Sequence, residues 1–146
     1  MDRQTILQAC IDLQSHVAEV ARQEMDSAQQ QSNDYGANVD RYDSYRTKML
    51  RSRDMYARQY SNAQTGVRYL QDLLRLPPFD TVEHGAVVVT DRQNFQLSIG
   101  AGKFMVGNRV FFAISAQTPI YAALKGKRVG DEIVFNGQRQ TIKEIF

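Results

Sequence analysis

The sequence has no tryptophan, one cysteine and three prolines among its 146 residues. The single Cys10 has no partner for an internal disulfide, which fits a reducing compartment. The prolines are Pro77, Pro78 and Pro119, so the first 76 residues contain none. Because proline is the strongest helix breaker, this long proline-free stretch permits long helices.

Long apolar runs are also missing, and so is a strong excess of charge. No stretch has the apolar length that crossing a bilayer needs, and the polar start Met1-Asp2-Arg3-Gln4 lacks the apolar segment of a signal peptide. We therefore expect an unexported, cytoplasmic protein with no membrane partner. The net charge is only +2, so any contact with nucleic acid must be local.

The segment up to residue 31 predicts a first helix. From Asp2 to about Gln31 it has no glycine or proline. Apolar residues recur there at alternating spacings of four and three, namely Ile6, Cys10, Leu13, Val17 and Val20. This heptad spacing predicts a seam, the row of side chains that faces a partner helix. The pattern continues weakly through Met25 and Ala28 and fades before Gly36, which predicts a turn, with the tip at about residues 32–38.

A second helix is predicted from about Val39 to Leu76, with Asn38 as its cap. Its seam consists of Tyr42, Tyr45, Met49, Ser52, Tyr56, Ala63, Val67, Leu70 and Leu74. Two seams joined by a short turn predict an antiparallel coiled-coil hairpin. Pro77 and Pro78 cannot continue the helix and predict a domain boundary, which gives domains 1–76 and 77–146.

The second domain has the composition of strands. Runs rich in valine, isoleucine and phenylalanine occupy residues 86–90, 95–99, 109–115, 133–135 and 141–146. Asn136-Gly137 predicts a type I′ hairpin turn, and Pro119 predicts a short helix to about Leu124. Gly100-Ala101-Gly102 is interpreted as a flexible loop. The predicted fold class is α+β, a helical hairpin followed by an antiparallel sheet with one short helix.

The segment from Ser115 to Asp131 resembles the C-terminal signature of the GreA/GreB family of transcription factors. Seven residues fall on that pattern: Ser115, Pro119, Ile120, Ala123, Leu124, Gly130 and Asp131. Tyr121 and Lys125 depart from it. The stretch from His84 to Val89 is also similar to the opening strand of that family. The physical interpretation of the same residues is a strand end, a proline-started helix and a turn, so the motif specifies fold more than chemistry.

The resemblance implies an FKBP-like second domain and a hairpin that enters the secondary channel of RNA polymerase. RNA polymerase and nascent RNA are the implied partners. The chain would be an accessory factor and not an enzyme, since any transcript cleavage would take place in the polymerase active site. It would have no cofactor of its own and would share Mg²⁺ with the polymerase.

The family presents paired carboxylates at the tip, and here the candidates are Asp40 and Asp43. Aligning Gly36 puts Ala37 at the first acid and Asp40 at the second, whereas the acid spacing pairs Asp40 with Asp43. The Glu-Asn step of the family is missing in both placements. Two carboxylates on one helical face can help to hold Mg²⁺. The alternative is structural, since acids are also favoured near a helix start by its dipole.

Basic residues follow the tip along the second helix: Arg46, Lys48, Arg51 and Arg53. They are candidates for contact with transcript or polymerase, because such charges suit phosphates. The alternative is a solvated coiled-coil face. Three other functions stay open: a secondary-channel inhibitor or modulator without cleavage activity, a coiled-coil adaptor, and an FKBP-like prolyl isomerase.

Overall fold

The computed structural model describes residues 2–34 and 43–146, and the side chains of Asp34 and Asp43 are outside that description. Two long helices come first, α1 (Arg3–Asp34) and α2 (Asp43–Leu73). The strands and the short helix follow in the order β1 (Val87–Thr90), β2 (Asn94–Ser98), β3 (Gly102–Val106), β4 (Arg109–Ser115), α3 (Pro119–Leu124), β5 (Glu132–Phe135) and β6 (Gln138–Ile145). The predicted fold class is confirmed.

Helix α1 begins with a capping interaction that the sequence analysis did not use. The Asp2 carboxylate accepts a hydrogen bond of 2.8 Å from the Thr5 backbone N–H, and this bond lowers the pKa of Asp2. Helix α2 ends at Leu73, three residues before the predicted end. The predicted turn at Gly36 and the predicted cap Asn38 lie outside the described residues.

The predicted seam of α1 is correct at its start, where Ile6 and Cys10 are buried, and lies one residue too early in the middle of the helix. Val17 and Val20 are 42% and 44% exposed, whereas Ala18 and Ala21 next to them are buried. The buried residues again follow heptad spacing, at Leu7, Ile11, Ala18, Ala21, Ala28 and Ser32. The prediction was wrong at Val17 and Val20, where the smaller neighbours Ala18 and Ala21 are buried instead. Small side chains at a seam permit two helices to approach closely.

The seam of α2 agrees better with the prediction. Ala63 and Leu70 are buried, and Met49, Ser52 and Tyr56 are half-buried. Gly66 is also buried, which explains why a residue of low helix propensity is accepted there. Arg53 Nη1 donates a hydrogen bond of 2.6 Å to Gln29 Oε1, so a residue near the start of α2 contacts a residue near the end of α1. This is the antiparallel arrangement.

The chain divides into two compact units. One unit is Gln14–Val67, and the other combines Met1–Leu13 with Arg68–Phe146. The bases of both helices therefore belong to the same compact unit as the sheet. The predicted boundary at Pro77 concerns which segments fold by themselves, and it stays a prediction.

The sheet has six strands in the order β3-β4-β2-β1-β6-β5. Four of its five pairings are antiparallel, and β2 pairs with β4 in parallel, with Phe95 opposite Phe112. The sheet is therefore mixed and not wholly antiparallel as predicted. Its core on the α3 side includes Val88, Phe95, Leu97, Ile120, Leu124, Ile133 and Ile142.

The bases of the helices pack within the sheet unit. Ile6, Leu7, Cys10, Leu70 and Leu73 are all buried. A Cβ on Gly85 would lie 3.1 Å from Leu73 Cδ2, so the end of α2 closely approaches the loop before β1. Arg3 Nη1 donates a hydrogen bond of 2.6 Å to the Pro77 carbonyl, and the Arg3 guanidinium lies 5.4 Å from the ring centroid of Phe79.

Strand β3 was missed by the sequence analysis, since Gly102 was assigned to a loop and is the first residue of this strand. The available signal was Gly107-Asn108, a typical pair for a two-residue hairpin loop. Gly107 has φ of 60° and Asn108 has no positive φ, which is the pattern of a type II′ turn. The predicted type I′ turn is confirmed, since Asn136 and Gly137 have φ of 52° and 75°.

His84 lies between two tyrosines of the sheet unit. Its ring centroid is 5.4 Å from that of Tyr69 on α2 and 6.3 Å from that of Tyr121 on α3. Partial burial lowers the pKa of His84 below its ordinary value of 6.5. The folded chain therefore takes up a proton at this position less readily than the unfolded chain does.

The one-residue shift of the α1 seam predicts opposite outcomes for neighbouring substitutions. Ala18→Leu adds bulk to the close contact between the helices, and we expect it to lower the free energy of unfolding by about 1–3 kcal/mol. Val17→Leu is the matched control, because it adds one methylene at an exposed position and should be nearly neutral. Urea unfolding followed by circular dichroism measures both. A larger loss of unfolding free energy for Val17→Leu than for Ala18→Leu would contradict this prediction and support the seam through Val17.

The environment of His84 predicts a pH dependence of stability. Between the lowered folded pKa and 6.5 the unfolded state binds more protons, so stability falls as the pH drops through this window. His84→Phe keeps an aromatic ring but does not titrate, so it should lose less stability than the wild type between pH 7.5 and 5.5. His16→Gln, on the exposed surface of α1, is the control for loss of one imidazole. Equal losses in wild type and His84→Phe would contradict the prediction.

Candidate functional site

The unit Gln14–Val67 contains the part of the hairpin that the sequence analysis singled out. Among the described residues of this unit, the buried apolar ones are all alanines: Ala18, Ala21, Ala28 and Ala63. Small side chains on a seam allow helix axes to approach to the lower end of the usual range, about 8 Å. Alanines at these positions permit a thin hairpin, and they contribute little apolar area between its two helices.

A small polar hollow interrupts this seam. It has a volume of about 170 Å³, and its lining includes Ala28, Met49, Ser52 and Tyr56. Separately, the Ser32 hydroxyl on α1 is buried, and within the described part of the chain it has no hydrogen-bond partner.

The predicted tip carboxylates fall at the limit of the described residues. Asp40 lies outside them, together with Gly36 and Ala37. Asp43 is the first residue of α2 and Asp34 is the last residue of α1, and only their helical positions are described. Both placements of the acidic pair stay predictions.

The four predicted basic residues differ in their surroundings. Lys48 and Arg51 are exposed, and their spacing of three places them side by side on α2. Arg53 bonds to Gln29 across the hairpin and to Asp54 at 2.8 Å, so its charge is engaged in holding the two helices. Arg46 is half-buried and also has a partner. Lys48 and Arg51 are therefore the most accessible cations of the set.

The residues of the C-terminal motif serve the fold. Ile120 and Leu124 are buried in the core on the α3 side, and Ala123 is partly buried beside them. Pro119 occupies the first turn of α3, which Thr118 caps by accepting from the Tyr121 N–H.

The two ends of this motif are held by backbone hydrogen bonds. The Ser115 carbonyl accepts from the Thr118 hydroxyl at 2.9 Å. Gly130 has φ of 93° and donates to the Ile142 carbonyl at 2.8 Å, and an Asp131 carboxylate oxygen accepts from the Arg128 N–H at 2.8 Å. These contacts give each conspicuous residue of the motif a structural explanation.

The described residues offer little to metal or thiol chemistry. Burial raises the pKa of the Cys10 thiol to about 11, so the thiolate that nucleophilic catalysis requires is scarce. Residues 2–34 and 43–146 contain no group of three histidine, cysteine, aspartate or glutamate side chains placed to hold a metal ion. In the same ranges no helix is both long and apolar enough to span a membrane.

An isomerase would need an open pocket lined by aromatic and apolar side chains. Phe95, Phe104 and Phe111 are buried in the sheet unit, and Phe104 stacks on Phe111 with ring centroids 5.7 Å apart. These three rings therefore belong to the interior of the sheet unit. The isomerase alternative stays open.

Two contacts of α1 escaped the sequence analysis. One is the hydrogen bond between Gln29 and Arg53, and the other is the pair Gln8 and Asp12, in which Gln8 Nε2 donates to the carboxylate at 2.9 Å. The second had a visible signal, because polar residues four apart on a helix are neighbours. The first had none, since it depends on the pairing register of the two helices.

No protein-family model and no curated protein matches this sequence. Among solved structures, the chain is similar to the crystal structure of the GreA factor homolog 1 protein of Thermus thermophilus. The identity is 15%, the match covers 93% of this chain and 94% of the other, and the TM-score is 0.36. At these values the likeness carries no argument about what the chain does.

Proposed function

We propose that this chain is an accessory transcription factor that binds RNA polymerase and inserts its helical hairpin into the secondary channel. The observation that carries the proposal is the pair of unbroken helices of 32 and 31 residues, followed by the sheet domain whose segment 115–131 resembles the GreA/GreB signature. A helix of 32 residues is about 48 Å long at about 1.5 Å per residue. That length suits a deep and narrow channel.

The slim seam supports the proposal on physical grounds. A pore admits a two-helix probe only if the probe is thin, and alanines at the inward positions keep the helix axes close. The hydrogen bond between Gln29 and Arg53 ties the helices in the unit Gln14–Val67 without adding width. A hairpin with leucine at these positions would be thicker.

Charge gives the proposed contact its chemistry. Lys48 and Arg51 are exposed beside each other, and nearby phosphates of RNA or acidic polymerase residues would suit them. Asp54 holds the charge of Arg53 in an ion pair of 2.8 Å. Lys48 and Arg51 therefore supply the accessible positive charge in this proposal.

The finer proposal concerns transcript cleavage. Asp40 and Asp43 would act as hard oxygen donors, and a Mg²⁺ shared with the polymerase supplies activation of the attacking water when it is bound. Cleavage would then be carried out by the polymerase, with no enzyme activity in this chain alone. The second candidate is a channel modulator without cleavage activity, and the missing Glu-Asn step of the tip favours it.

Binding is tested by co-purification with core RNA polymerase. We expect the chain to be retained, and a known secondary-channel factor to displace it. The double charge reversal Lys48→Glu with Arg51→Glu should weaken binding by about tenfold or more, since charge pairs across an interface resist reversal strongly. Lys143→Glu, an exposed reversal on β6, is the control and should bind nearly as the wild type does.

Two results would contradict this proposal. The first is no retention by core polymerase at micromolar concentrations. The second is retention that a secondary-channel factor does not compete, which would place the contact elsewhere on the polymerase. A pull-down that recovers other proteins without any polymerase subunit would favour the adaptor alternative.

Cleavage is tested on stalled elongation complexes with the wild type, Asp40→Ala and Asp43→Ala. If the tip supports cleavage, the wild type shortens the transcript, and each substitution lowers the rate by about 10²-fold or more because a metal ligand is lost. All three should bind polymerase equally. Equal inactivity of the three proteins with intact binding would establish the modulator and eliminate the cleavage role.

A further inference from the structure

The outer edge of β3 is a second place where this chain can make a specific contact. The sheet order puts β3 at one edge. The loop Gly107-Asn108 has two residues, so Val106 and Arg109 form the hydrogen-bonded pair next to it. The backbone groups of Phe104 and Val106 then point towards β4, whereas those of Lys103 and Met105 point away from the sheet.

These outward groups are unpaired on the described part of the chain. Strand β3 pairs with β4 alone, and outside that ladder no backbone hydrogen bond within residues 2–34 and 43–146 involves Lys103 or Met105. A free edge of this kind is a template for another extended backbone. A further strand can satisfy its donors and acceptors in register.

A groove adjoins this edge. Its volume is about 740 Å³, with Gln4, Gln8 and Asp12 of α1 on one side and Met105, Val106 and Gly107 on the other. The three α1 residues are four apart and form one row along the helix. Carboxamides both donate and accept hydrogen bonds, so Gln4 and Gln8 can bond to the outer backbone groups of a strand added to β3.

The lining also indicates which side chains such a strand would carry. Among the described residues that line the groove, Asp12 is the only charged one, and it already accepts a bond from Gln8, which fixes its position. A carboxylate with no lining cation favours a lysine or arginine on the incoming chain. Met105 is 57% exposed, and its flexible thioether suits varied apolar side chains.

We propose that this groove binds an extended, basic peptide segment of another protein, which adds to β3 as a seventh strand. Its backbone pairs with Lys103 and Met105, and a basic side chain meets Asp12. Strand addition of this type draws affinity from main-chain hydrogen bonds and specificity from alternate side chains. The proposal does not depend on the polymerase role, since every residue that it uses belongs to the unit of Met1–Leu13 and Arg68–Phe146.

The opposite edge of the sheet supplies a matched control. Strand β5 ends in the two-residue turn Asn136-Gly137, so Val134 points its backbone outward as Met105 does. Val134 is 60% exposed. Proline is accepted on an edge strand where its missing N–H faces solvent, so Met105→Pro and Val134→Pro should both leave the sheet intact.

The test selects peptides from a random phage-displayed library on the full chain and measures the affinity of the recovered peptides by fluorescence anisotropy. We expect peptides rich in β-branched residues with at least one lysine or arginine. Met105→Pro should weaken them by about tenfold, because a hydrogen bond is lost and the ring obstructs the added strand. Val134→Pro should change the affinity by less than about twofold.

Two further measurements cover the case in which Met105→Pro does not fold. The backbone amides of Lys103 and Met105 in the wild type should exchange more slowly with solvent when the peptide is bound. Asp12→Asn should weaken binding of a selected peptide that contains lysine several-fold. Binding of the same peptide with norleucine in place of that lysine should be unchanged. Two results would overturn the proposal. One is that the library yields no enriched peptide. The other is that enriched peptides bind Met105→Pro as well as wild type and leave amide exchange at Lys103 and Met105 unchanged.

Sedimentation velocity distinguishes a second occupant of the same edge. Self-association of the wild type that disappears in Met105→Pro would place a second copy of this chain on β3, and the peptide proposal would fail. A chain that stays monomeric while binding the selected peptide supports it.

Discussion

The structure depends on how the bases of the two helices are buried in the sheet unit. Ile6, Leu7, Cys10, Leu70 and Leu73 are buried there, so two adjacent stripes of α1 are covered in its first turns. In the described part of the unit Gln14–Val67, the residues buried in the seam are all small. Because burial of apolar area is the main source of stability, most of the free energy that stabilises the helices comes from the unit that contains the sheet.

This distribution explains what the sequence could and could not predict. The helices, the type I′ turn and α3 were predictable because glycine, proline and apolar spacing determine them locally. In the middle of α1 the seam was misplaced because Val17 and Val20 are the larger apolar residues, whereas the buried ones are Ala18 and Ala21. The distance to which the two helices approach decides which of two neighbouring stripes is buried. The hydrophobicity of the residues alone does not predict it.

The sheet shows the same limit at a larger scale. Five strands follow from composition, but β3 begins at Gly102 and ends directly before Gly107, and its pairing depends on the turn at Gly107. The parallel contact of β2 with β4 joins residues that no short motif connects. Of the candidate site, sequence could nominate the acids and bases of the hairpin, but it could not tell that Arg53 is engaged with Gln29 and Asp54.

The strand order also constrains how the sheet can be assembled. Strand β1 lies between β2 and β6, and Val88 pairs with Ile145 near the other end of the domain. Local hairpins can form early, but the centre of the sheet stays open on one side until β6 arrives, since distant pairings bear the larger loop-closure entropy. On a ribosome, the half-made sheet would therefore expose Val88 to solvent until synthesis reaches the final strand. Shielding of β1 by a chaperone during that interval would fit this topology.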